Sequence, residues 1–431
     1  MKKTTTKTHS YDTYELEIIS SSFDGRGIGK IDGMTVFVDG AVEGDVALVT
    51  LTKRKKSFAE GVVSEILTPS PNRIQPQCPH FGQCGGCVMS DRNYETELKI
   101  KANSIEQVMR RIGGFDDFAL LSIEQNSRTR YRNKAVYKVS SHDCGFFSQK
   151  SHTVIPVEDC LLCSENDRNI ISALVSYIKE NDVQNIKTMF VRRSLTTQET
   201  MTAIETEGDF TDTEGLSQSL IRAGVTSVII NSQLVCGRDF IEDELLGVKF
   251  RISHESFYQV NPVMTNRLYN YALECASLTG NERVLDIYCG IGTISLCAAK
   301  SAASVIGVEI VPQAVKNARD NAILNNIENV AFYADSAENI VPKLIDSGEQ
   351  PDVVILDPPR KGSDPATLQA ILKASPKRIV YVSCDPATLA RDTKILAQGG
   401  YVVSQAKAFD MFPGTGHVET VCLMSRICSG E

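Results

Sequence analysis

Six apolar segments alternate with helix-like segments in the last third of the chain, and this alternation constrains the fold more than any other feature. The apolar segments begin after Glu282 and read RVLDIYCG, SVIGVEI, VAFYAD, DVVILDPP, RIVYVSC and HVETVCLM. Strands that alternate with helices predict a parallel sheet with helices on both faces. Polar residues stand where these segments end, so we expect a binding site at the carboxyl edge of the sheet.

The length of the chain predicts more than one domain. It has 431 residues, whereas a single domain usually has roughly 100 to 200. We divide it into residues 10–69, 70–255 and 256–431, and only the last carries the α/β, Rossmann-like pattern. With 42% hydrophobic and 23% charged residues, the composition is typical of soluble globular proteins.

The sequence shows no secretion signal and no membrane-spanning segment, so we expect a cytoplasmic protein. The opening segment MKKTTTKTHSYDTY contains no apolar core, and no stretch reaches the roughly 18 apolar residues that a membrane helix needs. Thirteen cysteines in a reducing compartment are not expected to form disulfides. They should be core residues, metal ligands or nucleophiles.

The first domain reads as short strands separated by glycine turns. This pattern over residues 10–69 predicts a small β-barrel of the OB type, and such barrels often bind single-stranded nucleic acid. The middle domain gives weaker, mixed α+β signals. Within it, residues 91–113 have helical spacing and end at Gly113-Gly114, and we expect this helix to pack on the last domain.

The charge distribution bears on nucleic-acid binding in two opposite ways. The net charge of −8 and the pI near 5.5 argue against a nucleic-acid partner. Two basic runs argue for one, namely Lys53 to Lys56 and a second run that contains Arg130 and Arg132. Each run could equally be a solvated surface.

Three strand ends of the last domain predict a nucleoside cofactor. A glycine turn at Gly290 and Gly292 follows the first strand, Glu309 ends the second and Asp335 ends the third. An acidic residue about 20 positions after the first strand can accept hydrogen bonds from ribose hydroxyls. Ser295 stands where a dinucleotide fingerprint needs its third glycine, which favours S-adenosylmethionine over NAD.

The fourth and fifth strands end in the residues that could react. The turn after Asp357 reads DPPRKG and is similar to the DPPY turn of amino-methyltransferases, except that Arg360 replaces the aromatic residue. The fifth strand ends in SCDPATLARD, so the thiol of Cys384 lies beside a helix start, where we expect its pKa to be lowered. Four other cysteines of this domain are expected in the core, and they are Cys275, Cys289, Cys297 and Cys422.

These motifs resemble the bacterial RNA 5-methyluridine methyltransferases, in particular the ribosomal-RNA branch that carries an iron–sulfur cluster. The resemblance spans nearly the whole chain, and its most specific segments are SCDPATLARD, DPPRKG, SFYQVN and HVETV. It implies that the first domain is a TRAM domain. It also implies that the enzyme methylates C5 of a uridine in RNA with S-adenosylmethionine.

The resemblance assigns roles to residues of this sequence. It implies that Cys384 adds to C6 of the uracil, because C5 alone is too poor a nucleophile to accept a methyl group. It implies that Glu419 removes the C5 proton. Phe257 is expected near the target base, with Arg130 and Arg132 on RNA phosphates. The residues expected to contact S-adenosylmethionine are Gln259, Tyr288, Glu309, Asp335 and Asp357.

A cysteine loop precedes the middle helix. Cys78, Cys84 and Cys87 lie close together among glycines and prolines, a pattern that predicts a metal centre and not free core thiols. The resemblance implies a [4Fe–4S] cluster with Cys160 as the fourth ligand. Cys163, three residues later, is the rival for that position.

Several functions remain open from the sequence. The barrel and the cysteine loop favour 23S ribosomal RNA as the substrate of a monomeric enzyme, and the alternative is tRNA. A non-catalytic RNA-binding protein on the same scaffold is disfavoured, because both Cys384 and Glu419 are present. An amino-methyltransferase would need no cysteine at the end of a strand. The sequence does not say which uridine is modified.

Overall fold

The computed structural model describes residues 12–426, which form two compact units. One unit comprises residues 12–104 and 414–416, and the other comprises residues 105–413 with 417–426. Most of the opening segment, the first two residues of the predicted barrel and the last five of the predicted C-terminal domain lie outside the described residues. No helix in residues 12–426 is both long enough and apolar enough to cross a bilayer.

The first unit is built around a six-stranded sheet. Its strands alternate buried and exposed residues, and the buried ones, such as Val36, Val38 and Val49, form one apolar core. The spatial order is β1-β5-β6-β4-β3-β2. The strands are β1 (Thr13–Glu17), β2 (Ser20–Ser21), β3 (Gly27–Ile31), β4 (Met34–Asp39), β5 (Val46–Arg54) and β6 (Phe58–Thr68).

The predicted middle helix continues from one unit into the other. Helix α1 spans Tyr94–Val108, a π-helical turn follows at Met109–Gly113, and Gly114 ends it in the left-handed conformation at φ 76°. Its C-terminal part joins the core of the second unit through Ile105 and Met109. The short strand β7 (Ile123–Glu124) follows.

The middle of the chain forms a seven-stranded mixed sheet with two helices on one face. The spatial order is β10-β9-β8-β11-β12-β13-β14. The helices α2 and α3 share an apolar core with one face of this sheet. The elements are β8 (Lys134–Ser140), β9 (Asp143–Phe147), β10 (Val154–Pro156), α2 (Asp167–Glu180), β11 (Ile186–Arg193), β12 (Thr200–Thr206), α3 (Thr213–Arg222), β13 (Ser227–Ile230) and β14 (Gln233–Cys236).

The C-terminal part is the expected α/β layer structure. A hairpin precedes it, and an eight-stranded sheet then has the order β19-β18-β17-β20-β21-β23-β22-β7. The elements are β15 (Phe240–Leu245), β16 (Val248–Ser253), α4 (Pro262–Ala276), β17 (Arg283–Ile287), α5 (Thr293–Ala299), β18 (Ser304–Glu309), α6 (Pro312–Leu324), β19 (Val330–Ala334), α7 (Ala337–Asp346), β20 (Val353–Leu356), α8 (Pro365–Ala374), β21 (Arg378–Ser383), α9 (Pro386–Gln398), β22 (Tyr401–Phe409) and β23 (Glu419–Arg426).

Two apolar cores cover the two faces of this sheet. Helices α4, α5 and α6 contribute to one core, and α7, α8 and α9 contribute to the other. Strand β20 is buried throughout, as expected for a central strand covered by helices on both sides. The prediction of a Rossmann-like α/β domain is confirmed.

The prediction that all six apolar segments lie parallel is wrong for the last one. Strands β17 to β21 are parallel, but β23 runs antiparallel to β21 and to β22. The sequence pattern does not predict strand β22, which forms a hairpin-like pair with β23 after α9. The reversal places the first residue of β23, and not its last, at the carboxyl edge of the parallel strands.

Candidate active site

A cleft of about 510 Å³ opens at the carboxyl edge of the sheet in the second unit. It is lined by loops after β17, β18, β19, β20 and β21 and by the start of β23, which is where ligands bind in folds of this kind. The polar and aromatic residues that line it include Phe257, Gln259, Tyr269, Tyr288, Thr293, Glu309, Asp335, Asp357, Arg360, Cys384, Phe412, His417 and Glu419.

The glycine turn after β17 is held tightly against β18. The backbone N–H groups of Tyr288 and Cys289 both donate to the carbonyl of Val308, at 2.8 and 3.0 Å. Gly292 has φ 83°, and a Cβ there would lie 3.1 Å from the ring of Phe332, so only glycine fits. The turn therefore lets the backbone line the cleft without an intervening side chain at Gly290.

Glu309 and Asp335 line this half of the cleft at the ends of β18 and β19. The carboxylate of Glu309 accepts hydrogen bonds from the backbone N–H groups of Gly290, at 3.1 Å, and Val311, at 2.9 Å. Asp335 accepts from the backbone N–H of Ser336 at 2.7 Å. These bonds fix both carboxylates at the cleft while leaving further lone pairs for a ligand's hydroxyl groups.

Cys384 and Glu419 lie side by side because of the antiparallel pairing of β21 with β23. Ser383 is paired with Thr420, so Cys384, which follows Ser383, and Glu419, which precedes Thr420, lie at the same edge of the sheet. Both line the cleft, together with Asp357 from the end of β20. The side chain of Glu419 is only 3% exposed, and its Oε2 has no hydrogen-bond partner in residues 12–426.

Burial and mutual repulsion govern the protonation of these three groups. Burial and then the nearby Asp357 raise the pKa of Glu419 to about 8, and burial raises the pKa of Asp357 to about 7. Burial, followed by Glu419 and Asp357, raises the pKa of Cys384 to about 12. The positive charge of Arg360 opposes these shifts at Cys384 and Glu419.

The prediction that the helix start lowers the pKa of Cys384 is therefore wrong. Asp385 is the N-cap of α9, and its carboxylate accepts from the backbone N–H groups of Ala387 and Thr388 at 2.9 and 3.0 Å. This negative charge occupies the exposed donors of the helix, so the thiol gains little from the helix dipole.

Three lining residues, Tyr269, Phe412 and His417, were not recognised in the sequence. Tyr269 lies on the buried face of α4 and lines the cleft beside Thr293 and Gln259. The ring of His417 contacts Phe412, and its Nε2 lies 3.2 Å from an Nη of Arg360. An aromatic residue on an apolar helix face reads as core, so no sequence signal distinguished Tyr269.

Two of the remaining predicted residues lie in the expected region. Phe257 is 67% exposed at the mouth of the cleft, whereas Gln259 is buried and its backbone carbonyl accepts from the Nδ2 of Asn133 at 3.2 Å. The prediction that Cys275, Cys289, Cys297 and Cys422 are core residues is confirmed, since all four are buried.

The two arginines predicted to contact RNA lie outside the cleft. Both Nη atoms of Arg130 donate to the carboxylate of Asp159, each at 2.7 Å, so this guanidinium is held in a bidentate ion pair. The Nε of Arg132 is buried and has no hydrogen-bond partner among the described residues. The geometry does not favour Arg130 as a phosphate ligand.

The predicted cysteine ligands are not assembled around a metal-binding position. Cys78, Cys84 and Cys87 are all partly exposed in a loop of the first unit, and Cys160 is partly exposed in the second. Within residues 12–426, no group of three or more His, Cys, Asp or Glu side chains is arranged to hold a metal ion. The cluster therefore stays a prediction.

Comparison with known proteins agrees with this fold and this site. A family model of tRNA (uracil-5-)-methyltransferases matches residues 93–427, and a TRAM-domain model matches residues 11–64. An uncharacterized RNA methyltransferase of Clostridium acetobutylicum is 38% identical, covering 96% of this chain and 97% of its own. Another, from Halalkalibacterium halodurans, is 36% identical and covers 98% and 99%.

A solved structure matches over nearly the whole chain. It is the tRNA (uracil-54, C5)-methyltransferase of Pyrococcus abyssi in complex with S-adenosyl-L-homocysteine. The TM-score is 0.78 at 26% identity, and the match covers 95% of this chain and 100% of that one.

The fold and the cleft define a Rossmann-like, S-adenosylmethionine-dependent methyltransferase with an N-terminal TRAM domain. The chain belongs to the tRNA (uracil-5-)-methyltransferase family, and it is an RNA methyltransferase. The resemblance seen in the motifs is thereby confirmed for the family. The ribosomal-RNA branch and the cluster are finer predictions that these matches leave open.

The raised pKa of Glu419 leads to a prediction about stability. Because the pKa of the folded state, about 8, exceeds the ordinary value of 4.5, the stabilising contribution of this carboxyl is present at low pH and is lost as pH rises through 8. Glu419→Gln cannot ionise. We expect its melting temperature, relative to the wild type, to rise between about pH 5 and about pH 9, as measured by circular dichroism.

Glu328→Gln is the matched control, since Glu328 is exposed. Its melting temperature relative to the wild type should change little over the same range. A Glu419→Gln difference that stays constant with pH would show that Glu419 is already ionised in the free protein.

Proposed function

We propose that this enzyme methylates C5 of a uridine in RNA through a covalent bond between Cys384 and C6 of the base. The observation that carries the proposal is the shared position of a thiol and a buried, unpartnered carboxyl in one cleft. Uracil C5 needs a nucleophile at C6 to become reactive and a base to lose its proton afterwards. Cys384 and Glu419 supply these two groups.

The chemistry divides into three steps for the chain's own residues. Sγ of Cys384, as the thiolate, forms a bond to C6, and the C5–C6 π electrons move toward C5 and O4. C5 then bonds to the methyl group while the bond between that methyl and the donor's sulfonium sulfur breaks and leaves a neutral thioether, and C5 still carries its proton. The carboxylate of Glu419 takes that proton, the C5–C6 double bond forms again, and the S–C6 bond breaks to release the thiolate.

Burial and the charges in the cleft favour the protonated, unreactive form of the Cys384 thiol in the free protein. Burial and then the carboxyl groups of Glu419 and Asp357 raise the pKa of Cys384, and Arg360 opposes them. S-adenosylmethionine, when bound, supplies the methyl group and a positive charge beside these groups. The thiol and Glu419 are then favoured in their ionised forms only when the cleft is filled.

The residues proposed to hold the methyl donor surround the glycine turn. Glu309 and Asp335 are oriented by backbone donors, and Tyr288 lies in the turn itself, with its hydroxyl 3.0 Å from the Oγ of Ser363. Gln259 and Asp357 also line the cleft and are proposed to contact the methyl donor. Phe257, exposed at the mouth, is proposed to lie next to the target uracil.

The substrate is proposed to be 23S ribosomal RNA, and tRNA is the second candidate. The preference for ribosomal RNA comes from the domain content of the sequence, because tRNA enzymes are expected to be shorter. The Pyrococcus tRNA enzyme matches 95% of this chain, so length and domain content do not separate the two substrates. The family description and this match favour tRNA as the alternative.

Two other predicted functions have less support from the geometry. An amino-methyltransferase would use Asp357 and its two prolines, but it would not need Cys384 and Glu419 beside them. A non-catalytic scaffold would not need a buried carboxyl without a partner, which costs stability. We propose a monomer that acts on cytoplasmic RNA.

The covalent step is tested by trapping. With S-adenosylmethionine and RNA containing 5-fluorouridine, the wild type should form a denaturation-resistant adduct, because fluorine at C5 cannot be removed as a proton. Cys384→Ala should form none, as measured by a mobility shift in denaturing gels. Cys236→Ala is the matched control and should form the adduct, since Cys236 lies in β14. Equal adduct yields from both variants would contradict the assignment.

The choice of RNA is tested in cells. Deleting the gene should remove 5-methyluridine from 23S ribosomal RNA while leaving that of tRNA unchanged, as measured by mass spectrometry of the purified RNAs. Complementation with Cys384→Ala is the control and should not restore the modification. Loss from tRNA alone would establish the alternative substrate.

We also propose that Cys78, Cys84, Cys87 and Cys160 bind a [4Fe–4S] cluster, which would stabilise the fold and take no part in the methyl transfer. The support is the spacing of the first three cysteines in a short loop. Of the two candidates for the fourth ligand, Cys163 is buried in the core of the middle sheet, whereas Cys160 is partly exposed.

Metal analysis tests this ligand set. Anaerobically purified protein should contain iron and acid-labile sulfide, and Cys160→Ser should lose both, because thiolates are the ligands of such clusters. Cys163→Ser should keep them, and Cys236→Ser serves as the control. Zinc without sulfide would overturn the proposal. Loss of iron and sulfide in Cys163→Ser but not in Cys160→Ser would identify Cys163 as the fourth ligand.

A further inference from the structure

The sheet of strands β8 to β14 leaves part of one face open, and that part is basic and aromatic. Helices α2 and α3 cover the opposite face. On the open face, Lys134, Val136 and Lys138 alternate with buried residues along β8. Beside them on β11, Phe190 packs against the core of the C-terminal domain and Arg192 is buried. Val136 is 39% exposed, which shows that nothing in the described chain covers it.

Two cations lie directly opposite each other on this face. Lys134 is paired with Arg192 across the antiparallel strands, an arrangement that is destabilising for like charges. Neither Lys134 nor Lys138 has an ion-pair partner in residues 12–426. Burial, then repulsion from Arg192 and Arg132, lowers the pKa of Lys134 to about 8. An anion bound here would relieve this repulsion.

Aromatic rings lie between these cations. The ammonium of Lys134 lies 5.4 Å from the centroid of Phe190, and that of Lys138 lies 5.5 Å from the centroid of Phe147 on β9. Phe147 is only partly buried. Cations for phosphates and exposed rings for bases, spread on a sheet, are the combination that binds single-stranded RNA.

The face is physically connected to the mouth of the cleft. The two Nη atoms of Arg192 donate to the backbone carbonyls of Ser253, at 2.6 Å, and Ser256, at 2.9 Å. Ser256 directly precedes Phe257, which is exposed at the mouth. Arg192 itself is buried, but Lys134 is paired with it across the strands and so lies next to the segment that carries Phe257 to the mouth of the cleft.

We propose that the open face formed by Lys134, Val136, Lys138 and Phe147 binds the single-stranded RNA that flanks the target uridine. The ammonium groups contact phosphates and Phe147 stacks on a base. This inference rests on the proposed RNA substrate and names a surface for it. It also explains how a chain with a net charge of −8 binds RNA, since the cations are concentrated on one face and have no carboxylate partners there.

Binding of a fluorescent single-stranded oligouridylate, measured by anisotropy without methyl donor, tests the face. Lys134→Gln with Lys138→Gln should weaken binding about tenfold and reduce the slope of log Kd against log salt by about 1.4, because each lost phosphate contact contributes about 0.7. Phe147→Leu should weaken binding about tenfold without changing that slope.

The matched control is Lys179→Gln with Arg222→Gln, which removes two exposed cations from α2 and α3 on the opposite side of the sheet. It should leave both affinity and slope unchanged. Equal weakening by the two double variants, or no weakening by either, would overturn the proposal, as would a wild type that does not bind the oligouridylate. If polyglutamate displaced the fluorescent oligouridylate as effectively as unlabelled oligouridylate does, the proposal that Phe147 stacks on a base would be overturned.

Two further measurements distinguish RNA binding by this face from a purely structural role of its lysines. Lys134→Gln should raise the melting temperature, because it removes repulsion from Arg192, whereas a purely structural lysine would lower it when replaced. Adduct formation with saturating 5-fluorouridine RNA should be unchanged in the Lys134/Lys138 variant. If the wild type formed no adduct, the proposed covalent chemistry would be contradicted, but the result on RNA binding by this face would still hold.

Discussion

The active site depends on the antiparallel pairing of β21 with β23. In a parallel arrangement the first residue of β23 would lie at the amino edge of the sheet, on the far side from the glycine turn and the ends of the other strands. Because β22 turns the chain back after α9, the first residue of β23 faces the last of β21. The thiol of Cys384 and the carboxyl of Glu419 thereby share a cleft although they lie far apart in sequence.

This proximity has an electrostatic consequence that follows from burial. Asp357, Cys384 and Glu419 share one partly closed cleft with Arg360. A negative charge on any of the three groups disfavours ionisation of the other two. Near neutral pH these shifts favour the thiol form of Cys384 and the protonated form of Glu419 in the free protein. In the proposed mechanism, a positively charged ligand that enters the cleft favours the ionised forms and so couples the chemistry to binding.

Recognition of RNA poses a separate physical problem for an acidic protein. Long-range attraction is weak when the net charge is negative, so binding must come from local groups placed at contact distance. The middle sheet provides such a surface next to the mouth of the cleft. One of the two arginines that the family resemblance suggests for this role, Arg130, is held by Asp159, and the neighbouring lysines of β8 are the cations that remain accessible.

The sequence by itself determined the class of the fold and the residues proposed to react. Alternating apolar segments are local patterns, and they located five parallel strands, the glycine turn and the strand-end residues Glu309, Asp335, Asp357 and Cys384. The family motifs added Glu419. Only the tertiary structure decided the direction of β23, the pKa of Cys384, the position of Tyr269 in the cleft and the burial of Arg192. Strand direction, burial and charge proximity depend on residues distant in sequence, and no local pattern encodes them.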